Sequence, residues 1–502
     1  MDEIHILQLG EKDWNDLYTL PETVYLDHID TFSKTALKSY DLFFLDRTPL
    51  EEEINPLYEA VKAYTLFVTE RVNVSGKVAW LCKCKKAQKI EGDDIQRFLW
   101  NETRYYYPKP YGDKFSLRDL AVAQGFSGKV KWDGNYSATL EGEFGDDFRQ
   151  VAFWRYNSFL EQGQLVDLWL EYWKEPKVSL SLVITQFAYG SVDHILQQWY
   201  FDENELQQIM QIEGQRGNGS MFASLHARGN GKLKIVALHK RISRGNHGFF
   251  LPGGERYVTT RREEAFCYFD PGDLKPPLNV YFSGYKTKQG FEGYNLMRSK
   301  GCPFLLIAEA RLMGGCLYVG TKEYEKMIVS IIRKYMEELG FASDQVILSG
   351  ISGGTYGALY YGCDIRPHAM ILGKPVPNLG NVAANEKHIR PGGLPATLDM
   401  LMYLCGAIDE CAIKRLNDKF WNRFDSVDWG RSKFIISYML EDDYDPDGYD
   451  NLISHLWSSG VQVYGKGIHG RHNDNTPAIV NWLSSQFDRI LYDDFERRIK
   501  NK

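Results

Sequence analysis

No apolar run in these 502 residues approaches the roughly 18 that a membrane-spanning helix requires. A basic excess is missing too: 59 Lys and Arg stand against 66 Asp and Glu, a formal net charge of -7. Nothing in that balance supplies the cations that nucleic-acid phosphates or an anionic membrane surface would need, so neither is an expected partner. Cysteine is sparse and poorly spaced for metal. The eight thiols (Cys82, Cys84, Cys267, Cys302, Cys316, Cys363, Cys405, Cys411) include one close pair, Cys82-Lys83-Cys84, and no second pair completes a zinc spacing. No metal is expected, and the thiols read as reduced and mostly buried. The opening Met1-Asp2-Glu3-Ile4-His5 carries acids where a secretory signal has positive charge, so the expected location is the cytosol.

What is abundant is aromatic. There are 31 Tyr, 27 Phe and 12 Trp, 14% of the chain, a bias that favours β-sheet and also offers flat faces on which sugar rings stack. With 44% hydrophobic and 25% charged residues the composition is that of an ordinary globular protein. The length asks for two or three domains.

The patterning changes twice. Over residues 1–125, short strand-like runs (His5 to Leu9, Leu42 to Leu45, Tyr64 to Val68) alternate with helical stretches such as Pro49 to Ala63, predicting a small α/β region. Over 126–250 the period becomes two: Tyr136, Ala138, Leu140, Gly142 and Phe144 share a face, as do Val166, Leu168, Leu170 and Tyr172, and Val178, Leu180, Leu182 and Ile184. With turns expected at Asp133-Gly134-Asn135 and Gly229-Asn230-Gly231, this predicts a β-sandwich. Its Trp132, Trp154, Trp169 and Trp173 are either core packing or platforms for carbohydrate. Over 251–502, short apolar runs (Asn279 to Ser283, Pro303 to Ala308, Gln345 to Ser349, Ala369 to Leu372, Lys433 to Met439) alternate with amphipathic helices. A doubly wound α/β sheet of the α/β-hydrolase type is expected there.

Chemistry concentrates in that last part. Ser352, in Gly350-Ile351-Ser352-Gly353-Gly354, stands between a buried strand and a helix, where a hydrolase nucleophile must sit on a tight turn flanked by small residues. Ser349 is a decoy on the strand itself. A serine needs a base and an orienting acid, which follow in this fold in the order acid, then histidine. The strand Lys433 to Met439 runs into Leu440-Glu441-Asp442-Asp443-Tyr444-Asp445, where Asp442 is preferred and Glu441 is close behind. After a further strand near Val461 to Tyr464 come His469 and His472, of which His472 is favoured because it lies nearer the final helix. Oxyanion-hole donors are expected from the Gly353 amide and from the Gly284 or Tyr285 amide.

Several stretches resemble a known family. Asn279 to Tyr285, Gly290-Phe291-Glu292-Gly293-Tyr294, Ser349 to Ala358 and Gly470-Arg471-His472-Asn473-Asp474 resemble accessory Sec system proteins of the "Asp-two" type, and the likeness extends over nearly the whole chain. The resemblance implies a cytosolic protein recruited to the membrane by its complex. Its partners there are two sister accessory proteins, the accessory SecA motor and a glycosylated serine-rich repeat adhesin. It also implies O-acetylation of N-acetylglucosamine on that adhesin, with Ser352 and His472 as nucleophile and base and the acid at Glu441 or Asp442. No cofactor is expected, and no phosphate-cradling loop for coenzyme A identifies the acetyl donor. An esterase using the same residues, and a non-catalytic secretion adaptor on a hydrolase scaffold, remain open alternatives at this stage.

Overall fold

The computed structural model describes residues 3–32, 39–108, 112–388 and 396–497. Its first unit is a five-stranded sheet, every pair parallel, in the order Val24–Ile29, Ile4–Leu9, Leu42–Leu45, Leu66–Val68, Gln88–Lys89. Successive side chains point to opposite faces, so Leu42 and Phe44 enter one apolar cluster while Phe43 and Leu45 enter another. Such a two-sided core requires helices on both faces. In this strand order ligands bind where the order reverses, at the carboxyl ends of the first and third strands. That crevice is occupied from within: Asp46 accepts hydrogen bonds from Trp14 Nε1 (3.3 Å), Thr69 Oγ1 (2.9 Å) and Arg71 (2.9 Å). Cys82 and Cys84 lie on the helix Gly76–Lys85, and burial pushes the Cys84 thiol up to about 12.

The middle unit is a ten-stranded sheet in which the described pairings are antiparallel. It begins earlier than the periodicity suggested, since Gly112–Phe115 and Leu120–Val122 already pair into it. Asp133-Gly134-Asn135 makes the expected hairpin turn. Gly229-Asn230-Gly231 does not: it lies inside the 24-residue strand Gly219–Ile242. Gly229 and Gly231 take φ of 97° and 138°, the register against the neighbouring strand shifts there, and the ladder continues through a bulge. Before the bulge this strand pairs with Val178–Ala188; after it, with Leu165–Lys174. One segment therefore serves both halves of the apolar core gathered around Leu140, Leu168, Leu182 and Leu225. Of the four tryptophans, Trp154 is in the core, Trp169 is buried beneath Arg256 and Arg262, and Trp132 and Trp173 are exposed.

The third unit carries eight strands: β1 (Glu255–Val258), β2 (Glu264–Asp270), β3 (Leu278–Phe282), β4 (Phe304–Glu309), β5 (Val346–Ile351), β6 (Ala369–Gly373), β7 (Lys433–Met439) and β8 (Gln462–Ile468). They lie in the order β1-β2-β4-β3-β5-β6-β7-β8, antiparallel at β1-β2 and β2-β4 and parallel thereafter. This is the α/β-hydrolase-type sheet that the sequence predicted, extended by two strands it did not reveal. Helices cover both faces. Lys322–Leu339 packs Ile328, Ile331 and Ile332 on one side, and Thr476–Asp493 packs Ile479, Leu483 and Phe487 on the other. Among the described residues no helix is long and apolar enough to cross a membrane.

The units meet through buried polar side chains. Arg241, at the end of the long middle strand, forks onto Glu264 of β2 at 2.9 and 2.5 Å, and its Nε donates to Gln289 at 2.7 Å. Burial alone would push the Glu264 carboxyl up, but Arg241, Arg256 and His239 outweigh it and hold the group well below the usual carboxylate range. Arg244 donates to the carbonyls of Tyr105, Tyr107 and Phe250, tying the first unit to the same place. Removing one partner of a buried pair strands the other charge. Arg241→Ala is therefore expected to destabilise the protein by about 3–5 kcal/mol at neutral pH. Because a depressed carboxylate contributes stability that fades as pH falls, the gap between variant and wild type should narrow in acid. Thermal unfolding midpoints of the two proteins at pH 7 and pH 4 check both statements.

Candidate active site

Ser352 falls between the end of β5 and the helix Gly353–Ile365, with φ 55° and ψ -124°, a conformation that side-chain-bearing residues rarely adopt. Holding it there costs about 1–3 kcal/mol, which the surroundings must impose. They do so by close packing. A Cβ on Gly350 would come within 2.4 Å of the Gly354 carbonyl carbon, and one on Gly354 within 2.1 Å of the Phe282 oxygen. The Ser352 amide donates to the Gly373 carbonyl at 2.7 Å, and Thr355 Oγ1 donates to the Ser352 carbonyl at 2.5 Å. Ser349 is buried on β5 and donates to the Val280 carbonyl, so it is sheet packing.

The structure places Ser352, His472 and Asp442 in one hydrogen-bonded chain. Ser352 Oγ lies 2.8 Å from His472 Nε2, and His472 Nδ1 lies 2.8 Å from Asp442 Oδ2. Burial pushes the Asp442 carboxyl up, but the His472 imidazole and the Tyr444 and Asp445 amides together hold it below its ordinary value. An ionised Asp442 can only accept, so Nδ1 carries the proton and Nε2 is left to accept from the serine hydroxyl. Glu441 does not join this chain. Its carboxylate, on the solvent side of the same loop, accepts from the Gly470 amide and lies 3.1 Å from His469 Nδ1. The pair Glu441–His469 is thus a surface contact, whereas His472 is 1% exposed.

Gly353 and Tyr285 line the same pocket as Ser352. A Cβ built on Gly353 would lie 3.6 Å from the Tyr285 nitrogen, so the Gly353 and Tyr285 amides are neighbours. No described residue accepts a hydrogen bond from either. The Gly284 amide is committed instead to Glu292 at 2.8 Å, which removes it from the candidate donors. Beside these amides is a narrow apolar pocket walled by Leu317, Val376, Val382 and Met400, with Ser352 at its base. Val382 and Met400 come from the helices Leu379–His388 and Ala396–Cys405, which cover the site.

Other residues hold this arrangement without having been singled out in the sequence. The Tyr444 ring stacks on His472 with centroids 4.1 Å apart and planes 4° apart. Asp443 accepts the His472 amide at 3.0 Å, and Asn473 donates to the Tyr444 hydroxyl at 2.9 Å. Asp445, pushed up to about 6 by burial, accepts from the amide and side chain of Asn378 and anchors the acid loop to the chain after β6. Tyr444 and Asp445 lie in the acidic run that the sequence highlighted. Asn378 carries no local signal, because its partner is 67 residues away.

The turn that presents Ser352 gives a direct test. Gly350→Ala puts a methyl group against the backbone of Gly354. Overpacking of this kind is expected to cost about 1–3 kcal/mol, read as a lowered unfolding midpoint, and to displace the serine from His472. Gly125→Ala, in a turn with no atom in the way and outside the left-handed region, is the control for an added methyl group without a clash.

Comparison with known proteins agrees with this architecture. A protein from Streptococcus gordonii, "Accessory Sec system protein Asp2", is 36% identical over 510 residues, covering 99% of this chain and 99% of that one. The protein of the same description from Staphylococcus aureus (strain NCTC 8325 / PS 47) is 39% identical over 387 residues, 77% of this chain and 74% of that one. Among solved structures, a chain of the glycosylation associate protein (Gap123) complex from Streptococcus agalactiae superposes with a TM-score of 0.87 at 33% identity, covering 99% of both. The family Asp2, described as "Accessory Sec system GspB-transporter", matches residues 4–497. This chain belongs to the Asp2 family of accessory Sec system proteins.

Proposed function

We propose that this chain is a serine-nucleophile O-acetyltransferase that acetylates N-acetylglucosamine on the glycosylated serine-rich repeat adhesin exported by the accessory Sec system. One observation carries the chemistry: the chain Asp442–His472–Ser352 ends beside two amides that no described residue engages. In the first half-reaction Ser352 Oγ attacks the carbonyl carbon of an acetyl donor and its proton passes to His472 Nε2. The oxyanion that forms is held by the Gly353 and Tyr285 amides. Collapse expels the donor's leaving group, which takes the proton from His472 and leaves an acetyl-serine. A sugar hydroxyl then attacks, His472 removes its proton, and collapse expels Ser352 Oγ, which takes that proton back from His472 as the new ester departs.

The narrow pocket suits a short acyl chain, and Leu317, Val376 and Met400 offer no polar group to a longer, functionalised one. The cover over His472 favours a positioned sugar hydroxyl over bulk water, the distinction that separates transfer from hydrolysis. Membership of a family described as a transporter of an exported protein supports an adhesin acceptor. The likeness to a chain of the Gap123 complex supports two sister accessory proteins as partners. The accessory SecA motor and recruitment from the cytosol to the membrane complete the proposal.

The test is release of nitrophenol from p-nitrophenyl acetate, followed by mass spectrometry of an N-acetylglucosamine-bearing acceptor. Ser352→Ala and His472→Ala are each expected to lose at least about a thousandfold in rate. Asp442→Asn should lose about 10²–10⁴-fold, while Glu441→Gln stays within about twofold because it alters a surface pair. Acetyl transfer that persists in Ser352→Ala, measured alone and with the sister proteins added, would overturn the reading. Nitrophenol release with no acetylated acceptor would make the enzyme an esterase.

A further inference from the structure

Between the middle sheet and the catalytic unit lies a groove of about 1270 Å³, separate from the nucleophile pocket. It exceeds the roughly 300–1,000 Å³ that houses one drug-sized molecule, so its natural occupant is an oligomer. Its lining mixes aromatic rings with charged side chains. Tyr136, Tyr172 and Trp173 line it from the middle unit, and Tyr403 lines it from the covering helix Ala396–Cys405. Trp173 is 54% exposed, so much of its side chain is open to solvent in the groove.

The charges in the groove decide against an ionic ligand. Glu263 is held by Arg311 and by the Tyr403 hydroxyl, Glu171 faces His239, and Lys174 is paired with Glu203 at 2.6 Å. Lys234 donates to the Tyr136 hydroxyl, and Arg262 is stacked on Trp169 while donating to Leu170 and Leu206. Arg261 stands exposed on the rim. A phosphate- or sulfate-bearing chain would need several uncommitted cations, and an acidic peptide would need the same. Flat rings interleaved with hydroxyls, and with charges that except for Arg261 are already hydrogen-bonded within the protein, match an uncharged sugar, whose ring has an apolar C–H face and a rim of hydroxyls.

The groove also has an address. The helix Ala396–Cys405 lines the nucleophile pocket with Thr397 and Met400 and the groove with Tyr403 and Leu404. At 1.5 Å per residue those positions are separated by about 5–10 Å along the helix, a distance that adjoining sugars of one chain can span. We propose that this groove binds an uncharged oligosaccharide of two or more sugars and holds the acceptor glycan while one of its residues reaches Ser352. The binding stands on the groove alone; the second clause rests on the acetyl-transfer reading.

The test separates the two. Full-length Ser352→Ala protein is titrated by calorimetry with chitotriose and with maltotriose, an N-acetylated and a plain neutral trisaccharide. At least one is expected to bind, and Trp173→Ala in the same background should weaken it tenfold or more with its unfolding midpoint unchanged. Arg261→Ala, on the rim, should weaken it less. Binding of neither sugar, or equal binding by Trp173→Ala, would overturn the groove as a glycan site, as would a sulfated trisaccharide that binds where both neutral ones fail. In the otherwise wild-type chain, Trp173→Ala should raise KM for a glycan acceptor while leaving p-nitrophenyl acetate turnover unchanged. If glycan binds and no acetyl transfer occurs, the enzyme reading fails and the groove stands; if glycan binds and transfer is indifferent to Trp173, the groove stands as a glycan site and its role in holding the acceptor fails.

Discussion

The backbone of Ser352 is the constraint around which the catalytic unit is arranged. A residue with a side chain is held at positive φ, and nothing local favours that state. It persists because strand β5 and the helix after it approach so closely that several neighbouring positions have no room for a Cβ. The same closeness sets Gly353 beside Tyr285. The acid and histidine loops arrive from two other strands, and their meeting depends on β7 and β8 lying side by side in register. Each functional group is thus delivered by a strand end, and the sheet sets the distances between them.

Much of this could be read in the sequence because strand ends have a recognisable chemistry. A buried run that stops at a glycine-flanked serine, at a cluster of acids or shortly before a histidine is unusual, and the order of the three follows from the fold. Choices inside one loop could not be read. Glu441 and Asp442 are adjacent, and which of them turns inward depends on the Tyr444 and Asp445 amides and on the anchoring of Asp445 by Asn378. Gly284 and Tyr285 were equally placed until Glu292 captured one of the two amides. The bulge at Gly229-Asn230-Gly231 has the composition of a turn, and it stays in the sheet because partners on both sides supply the hydrogen bonds. Strands β1 and β2 escaped notice because β1 is four residues long with two charges and β2 opens on Glu264, a charge that the distant Arg241 neutralises.

The middle unit does more than flank the catalytic one. Asp399, on the helix that covers Ser352, accepts the Asn135 amide from the hairpin turn at 2.9 Å, and Tyr403 meets Tyr136 edge to face at 5.0 Å. Burial pushes the Asp399 carboxyl up, opposed by its contacts with Asn135. The cover of the nucleophile pocket is therefore positioned by a turn belonging to a different unit, which links the shape of the acyl site to the seating of the β-sheet beside it.

The long strand Gly219–Ile242 carries the molecule's mechanical load. Its first half is laced into one half of the middle sheet and its second into the other, and just past its end Arg244 grips the first unit while Arg241 grips the third. The three parts accordingly meet at one segment, in addition to direct contacts such as Arg298 with the Glu59 and Ala60 carbonyls and Asp399 with Asn135. Peeling either half of that sheet away would draw on the same backbone that anchors both neighbours, so the middle unit works as a tie-bar between them.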